Sequence, residues 1–238
     1  MKMININRLI AVIRNWGVGD YIRQVSVVVI GVLITFLGSD LITENSRQKE
    51  VDGTMRLVTE ELKYNRKELG AIKRLLDVDR YMAKMLIENE MNVSVIPKDT
   101  LMEYNTFFSK MSSFEYRTDA LDVLKGSSLM QYISDKRLLQ DVLQIYYKLG
   151  RIQKDINGYY QMKSDVIMEY SLSRPKNKSS ILLFDNQDGY KSYIESLMAD
   201  NGFFNFVVKT PGFLDWEDFD LLDRSLTKQI QILEKKYE

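Results

Sequence analysis

One stretch of the chain has the spacing of a calcium-binding loop. In residues 184–195, FDNQDGYKSYIE, residues suited to the third, fifth, sixth and twelfth loop positions are Asn186, Asp188, Gly189 and Glu195. Phe184 stands at the first position, where an aspartate ligand is normal, and Lys191 stands at the eighth, where an apolar residue is usual. We therefore interpret the stretch as a turn in which Asp188 caps the following helix. We predict no metal site and no cofactor.

An acidic run near the C-terminus also has side chains that can do chemistry. Its members are Asp215, Glu217, Asp218, Asp220 and Asp223. If these carboxylates converged, they would hold a cation or a basic partner. The helix dipole favours acidic residues at a helix N-terminus in any case, and we favour that interpretation.

Two pairs of adjacent tyrosines, Tyr146-Tyr147 and Tyr159-Tyr160, are the remaining candidates for a binding pocket. Both pairs lie in a pattern with helical spacing. On a helix, neighbouring residues point in different directions. We therefore expect one tyrosine of each pair in the core and the other at its rim, rather than a ligand pocket.

The residue types on which most enzymes depend are missing. The 238 residues include no cysteine and no histidine, which excludes disulfides, Cys-type zinc sites, Cys nucleophiles and Ser-His-Asp triads. No phosphate-binding glycine loop, dinucleotide fingerprint or S-x-x-K motif is present. The 33 basic and 33 acidic residues balance, which argues against binding to nucleic acid. We predict no catalytic residues and no enzymatic activity; a metal- or Ser-dependent enzyme is a remote alternative.

The most informative element is an apolar stretch near the N-terminus. Residues 25–39, VSVVVIGVLITFLGS, contain no charge and are bounded by Arg23 and Asp40. The 22 residues from Tyr21 to Ile42 would form a helix about 33 Å long, against an apolar bilayer core of about 30 Å. We predict a transmembrane helix over 24–42. A cleaved signal peptide and a buried helix of a soluble domain are the alternatives.

The residues around this stretch set the predicted domain organisation. Apolar residues at helical spacing in 3–16 predict an amphipathic helix that lies in the headgroup plane or packs on protein. Basic residues slightly favour a cytoplasmic N-terminus, since four (Lys2, Arg8, Arg14 and Arg23) precede the span and three (Arg47, Lys49 and Arg56) follow it. We expect a cytoplasmic or interfacial segment over 1–23, the span over 24–42, and a helical bundle over 43–238. In a Gram-negative cell this bundle would lie in the periplasm, anchored to the inner membrane.

Three apolar seams with alternating steps of three and four residues predict long, coiled-coil-like helices. The first seam is Val51, Met55, Val58, Leu62, Asn65, Leu69, Ile72 and Leu76, and a second stripe on the same helix is Ala71, Leu75, Val78, Met82 and Met85. The second seam is Leu138, Val142, Ile145, Leu149, Ile152, Ile156 and Tyr159. The third seam is Phe219, Leu222, Leu226, Ile230, Leu233 and Tyr237. The polar member, Asn65, fixes the register of a dimer or is tolerated at the edge of a bundle, and we favour the edge.

The predicted fold class is all-α. Ser134 or Asp135 is the expected N-cap of the second-seam helix, and Asp215 that of the third. Shorter helices are expected over about 98–111, 119–133 and 189–200, with Gly126 at a helix C-terminus. Residues 171–180 are predicted to form an exposed polar loop, and residues 201–214 a short strand-like or irregular lid.

Two stretches resemble a bacterial family of single-pass membrane proteins of unknown function that is common in Bacteroidota. The first, VVIGVLITFLGSDLITENSRQKE, is similar to the family's VVIGILIAL-like span and the charged helix that follows it. The second, TDALDVLKGSSLMQYISDKRLLQDVLQIYYKL, is similar to its second signature at Leu121 and Leu124, Gly126 to Ser128, Ile133 to Asp135, and Tyr146-Tyr147. The resemblance implies an N-terminal anchor and a helical extramembrane domain. It implies no activity and no catalytic residue.

These observations favour a membrane-anchored protein that acts by binding. We expect a partner-binding or scaffold subunit of a bacterial envelope complex, with a lipid bilayer, a protein partner or a second copy of the chain as its contacts. An extracytoplasmic bundle that senses a ligand and signals through a partner is the alternative. The sequence identifies neither the partner nor a small-molecule ligand.

Overall fold

The computed structural model describes residues 18–173 and 187–237, with side chains described for 26–32, 44–173 and 189–237. All regular structure in these residues is helical, which confirms the all-α class. The α-helices are α1 (Val18–Glu88), α2 (Lys98–Glu103), α3 (Thr106–Ser109), α4 (Asp119–Gly126), α5 (Lys136–Leu172), α6 (Gln187–Met198), α7 (Asn201–Phe213) and α8 (Trp216–Tyr237). Short 3₁₀ turns span Val93–Val95 and Leu129–Tyr132. The chain divides into two compact units, Met1–Asp52 and Gly53–Glu238.

The first unit contains the N-terminal part of α1. Its side chains at 26–32 and 44–50 are exposed, whereas Val51 at its C-terminal end is buried. Among the described residues, no helix has a stretch that is both long enough and apolar enough to cross a membrane. The predicted span over 24–42 includes 24, 25 and 33–42, whose side chains lie outside the described ones, and the predicted amphipathic helix over 3–16 lies outside the described residues altogether.

The second unit is a bundle whose core contains the three predicted seams, apart from Val51, which belongs to the first unit. Every member of the first, second and third seams is buried, Asn65 included. The additional stripe on α1 is less deeply buried than the seams, because Met82 is buried and its other four members are half-buried. The predicted caps are confirmed where they can be checked: Asp135 accepts a hydrogen bond from the Leu138 N–H at 3.0 Å, and Asp215 accepts one from the Glu217 N–H at 3.1 Å.

Contacts between side chains show that α1 and α5 run parallel. Glu61 contacts Tyr146, and farther along both helices Asp79 contacts Lys163. Two parallel helices require a connection that returns along their full length. Residues 89–135, which we call the crossover, make this return through α2, α3, the non-helical residues 110–118, and α4. The predicted helix over 98–111 is therefore two short helices, and α4 ends at Gly126 as predicted.

The last two helices both run antiparallel to α5. Tyr159 of α5 contacts Phe206 and Phe213 of α7, and the Cβ position of Gly202 lies close to Val166. On α8, Asp218 pairs with Arg151, and Lys236 pairs with Asp135 at 3.2 Å. The bundle thus contains two long helices in one direction, with α7 and α8 in series in the other.

The prediction of a strand-like or irregular lid over 201–214 is wrong. These residues form α7, which begins where Asp200 accepts a hydrogen bond from the Phe203 N–H at 2.9 Å. Phe203 and Phe206 are buried in an aromatic cluster with Phe107, Phe108 and Tyr159. Gly202 lies in the first turn, and Pro211 lies near the C-terminal end, where it removes only one backbone hydrogen bond of the helix. The burial of the aromatic face stabilises it more than these residues cost.

Candidate functional site

The calcium-like stretch is not a loop in its described part. Asp188, Gly189 and Glu195 all lie within α6, so Asp188 is not the N-cap that we predicted; Phe184 and Asn186 lie outside the described residues. The Glu195 carboxylate accepts a hydrogen bond from the Ser94 hydroxyl at 3.1 Å. Among the described residues, no group of three or more acidic side chains is arranged to hold a metal ion.

The carboxylates of the acidic run point to separate partners. Asp215 caps α8, Asp218 pairs with Arg151, and Asp223 pairs with Arg66 at 2.8 Å. These contacts join α8 to α5 and to α1. The run therefore begins a helix and holds it against its neighbours, in agreement with the interpretation favoured from sequence.

The two tyrosine pairs differ from one another. Tyr159 and Tyr160 are both buried, so the expectation of one core and one rim residue is wrong for this pair. It is confirmed for the other pair, since Tyr146 is buried and Tyr147 is 73 % exposed. Tyr146 and Tyr147 do line one shallow cavity of about 320 Å³, together with Tyr116, Gly150, Arg151 and Lys154.

Two asparagine side chains hold the non-helical part of the crossover between α1 and α5. Asn65 of α1 donates from Nδ2 to the Arg117 carbonyl at 2.9 Å and accepts the Arg117 N–H at 2.7 Å. Asn157 of α5 accepts the Phe114 N–H at 2.9 Å and donates to its carbonyl at 3.3 Å. A backbone outside helices and sheets must find partners for its N–H and C=O groups. The two carboxamides supply them, and Asn65 is fully buried, so the bundle-edge interpretation that we favoured is wrong.

A buried carboxylate positions the next element of the crossover. Glu61 of α1 accepts the Ala120 N–H at 2.8 Å with Oε2 and the Tyr146 hydroxyl with Oε1. Ala120 lies in the first turn of α4, where the helix dipole favours a negative charge. Burial of Tyr146, assisted by its hydrogen bond to Glu61, raises the pKa of that phenol, so the hydroxyl remains a donor. Glu61 thus fixes α4 against both α1 and α5.

These contacts create a groove of about 490 Å³ between α1 and α4, which we call the crossover groove. Its lining residues are Leu57, Glu60, Glu61, Tyr64, Arg117, Asp119, Ala120 and Val123. Leu57 on α1 is 58 % exposed and Val123 on α4 is 53 % exposed. The Arg117 guanidinium lies 3.5 Å from the centre of the Tyr64 ring, a cation–π contact that holds it at the groove.

A second buried polar cluster lies in the core. Lys163 donates from Nζ to Asp79 at 2.7 Å and to the Thr106 carbonyl at 3.1 Å, and Tyr159 donates its hydroxyl to Asp79 at 2.9 Å. Burial raises the pKa of Asp79, although the Lys163 ammonium opposes this, and burial lowers the pKa of Lys163. Both ionisable side chains are almost completely enclosed. A substrate has no access to them, so this cluster ties α1, α5 and α3 together.

The sequence reading missed Leu57, Glu61, Asp79, Asn157 and Lys163. Two of them, Asp79 and Lys163, could have been found from their spacing in the sequence. Asp79 stands three residues after Leu76 and so extends the first seam, and Lys163 stands four residues after Tyr159 and so extends the second. Opposite charges at the next position of two core seams indicate a buried ion pair between the helices. Nothing in the sequence indicates the partners of Glu61 or Asn157. Ala120 lies 59 residues from Glu61, and Phe114 lies 43 residues from Asn157.

Comparison of the chain with protein-family models, with curated proteins and with solved structures finds no match. Of the surfaces described, the crossover groove combines exposed apolar side chains with rigid walls.

Proposed function

We propose that the chain is a membrane-anchored helical protein that binds a protein partner and catalyses no reaction. The observation that carries the proposal is the crossover groove, where Leu57 and Val123 are more than half exposed on facing elements, at 58 % and 53 %. Large exposed apolar side chains in a concave surface are typical of interaction sites. The groove would serve as the contact surface of a scaffold or subunit in a bacterial envelope complex.

The polar groups around the groove support binding rather than catalysis. The Glu61 carboxylate accepts hydrogen bonds from the Ala120 N–H and the Tyr146 hydroxyl, and the Asn65 carboxamide is hydrogen-bonded to the backbone of Arg117. A catalytic group must be free to contact a reacting atom. In this region the buried polar side chains fix the backbone instead, and they leave an apolar surface with a charged rim.

The exposed apolar part of α1 supports the membrane anchor. Val27, Val28, Val29, Ile30 and Val32 are between 47 and 65 % exposed. At about 100° per residue these five positions point in all directions around the helix. A helix that is apolar on every side is expected in contact with lipid or with other apolar helices. The resemblance to single-pass membrane proteins and the bias of basic residues toward the N-terminal side support an inner-membrane anchor with the bundle outside the cytoplasm.

Site-specific photo-crosslinking tests the partner contact. A crosslinking amino acid would replace Leu57 or Val123 in the full-length chain, expressed in the bacterium from which it comes. Matched controls are Val208 on α7 and Leu221 on α8, which are 49 and 42 % exposed on other parts of the bundle. We expect the same protein adduct from both groove positions and none from the controls. Absence of a protein adduct at all four positions would contradict the proposed function.

A further inference from the structure

The crossover groove is lined by charged side chains as well as by apolar ones. Three carboxylates, those of Glu60, Glu61 and Asp119, line it together with one guanidinium, that of Arg117. We propose that the partner segment bound in this groove presents a large apolar side chain next to a lysine or arginine. This inference rests on the proposed partner-binding function and names the chemistry of the partner.

The balance of charge within the groove is negative because its carboxylates are only partly paired. Glu61 is hydrogen-bonded to two neutral groups, the Ala120 N–H and the Tyr146 hydroxyl, and it forms no ion pair with any of the described residues. Glu60 pairs with Lys63 at 2.7 Å, but the same ammonium also pairs with Glu234 at 2.8 Å. The guanidinium of Arg117 is the cation that lines the groove.

Asp119 is the carboxylate best placed to meet a cation from outside. It lies exposed in the first turn of α4, on the same helix as Val123. Within the described part of the chain it forms no ion pair. A partner would insert a large apolar side chain into the crossover groove. A lysine or arginine next to that side chain would then contact the accessible carboxylate of Asp119 at the rim of the groove.

The walls of the groove are fixed before any partner arrives. Asn65 holds the backbone at Arg117, and Glu61 holds the start of α4. Leu57 and Tyr64 stand two turns apart on the long helix α1. A preformed groove loses little conformational entropy on binding, which favours a short protein segment as its occupant. The acidic rim disfavours nucleic acid and anionic lipid headgroups, both of which require basic surfaces.

The experiment extends the crosslinking at Leu57 and Val123 by reversing one charge. Asp119→Lys is introduced into the full-length chain that carries the crosslinker. The matched control is Asp141→Lys, which reverses an exposed carboxylate on α5 away from the groove. Mass spectrometry of the digested adduct maps the segment of the partner that was captured.

We expect the mapped segment to contain an apolar residue with lysine or arginine within one helical turn. Asp119→Lys should lower the adduct yield roughly tenfold, while Asp141→Lys leaves it unchanged. Reversing the basic residue of the partner to glutamate should restore the yield with Asp119→Lys. This charge exchange separates a specific contact from adventitious capture.

The failures of the two proposals are distinguishable. A protein adduct at the groove that is insensitive to Asp119→Lys, or that maps to an acidic or uncharged segment, would overturn this inference and leave partner binding in place. An adduct with the mass of a lipid or a small molecule would overturn it as well. Protein adducts from Val208 or Leu221 alone would place the partner elsewhere on the bundle. No protein adduct at any of the four positions would overturn both proposals.

Discussion

At the scale of the residue, buried polar side chains determine how the helices of the bundle are joined. Asp79 and Lys163 form an ion pair in the core, and the Tyr159 hydroxyl and the Thr106 carbonyl satisfy further hydrogen-bonding groups. Such a pair contributes little net free energy, because desolvation of both charges offsets their attraction. It does penalise any arrangement that separates the two, so it specifies how α1 faces α5.

Removing one member of this pair should cost far more than removing both. In Lys163→Met the Asp79 carboxylate would stay buried without a cation, and we expect the free energy of unfolding to fall by about 3–5 kcal/mol. The double variant Lys163→Met with Asp79→Asn should be more stable than Lys163→Met, because no unpaired charge remains. Urea denaturation of the full chain, followed by circular dichroism, measures both.

Lys154→Met serves as the control for that prediction, since Lys154 is an exposed lysine of the same helix. Its substitution should change the free energy of unfolding by no more than about 0.5 kcal/mol. Equal losses in Lys163→Met and in the double variant would show that the ion pair itself, and not the unpaired charge, determines the stability.

At the scale of the element, the crossover combines an irregular backbone with specific side-chain contacts from the long helices. Its residues 110–118 lack the internal hydrogen bonds of a helix. Asn65, Asn157 and Glu61 replace them from the long helices on either side. The position of α4, and with it the crossover groove, therefore depends on side chains of α1 and α5.

Asn65→Ala should loosen the crossover without unfolding the bundle. The variant loses two hydrogen bonds to the backbone of Arg117, which we expect to lower the free energy of unfolding by about 2 kcal/mol. Amide hydrogen exchange should accelerate in residues 110–118 and in α4, and remain unchanged in α8. Lys67→Ala, an exposed position on the same helix, is the control. A change in oligomeric state with unaltered exchange in 110–118 would instead support a role of Asn65 in dimer register.

At the scale of the whole molecule, the two units have different surfaces. The described side chains of the first unit from 26 to 32 and from 44 to 50 are exposed, and those of 26–32 are almost all apolar. The second unit buries its seams and exposes charged residues in nearly equal numbers of each sign, as a solvated bundle requires. This contrast supports our proposal of an anchor in the first unit and a binding surface in the second.

Ile30→Arg should weaken the attachment of the full-length chain to membranes. An arginine in the middle of an apolar span costs about 2.5–3.5 kcal/mol on insertion scales. We expect the fraction that resists carbonate extraction to fall, while Asn45→Arg, which adds the same charge outside the apolar stretch, leaves that fraction unchanged. A wild-type chain recovered without detergent in the soluble fraction would contradict the proposed anchor.

The sequence by itself determined the all-α class, the three seams, the cap at Asp215, a cap at Ser134 or Asp135, and the end of α4 at Gly126. These features depend on local spacing and on interactions between residues close together in the chain, so the pattern of residue types is enough to predict them. The tertiary structure alone decided that 201–214 is a helix, because burial of Phe203 and Phe206 outweighs the local preference of Gly202 and Pro211 for a turn. It alone decided the role of Asn65 and the existence of the crossover groove. Both depend on hydrogen bonds across 52 and 59 residues of chain, and only the folded bundle brings those groups together.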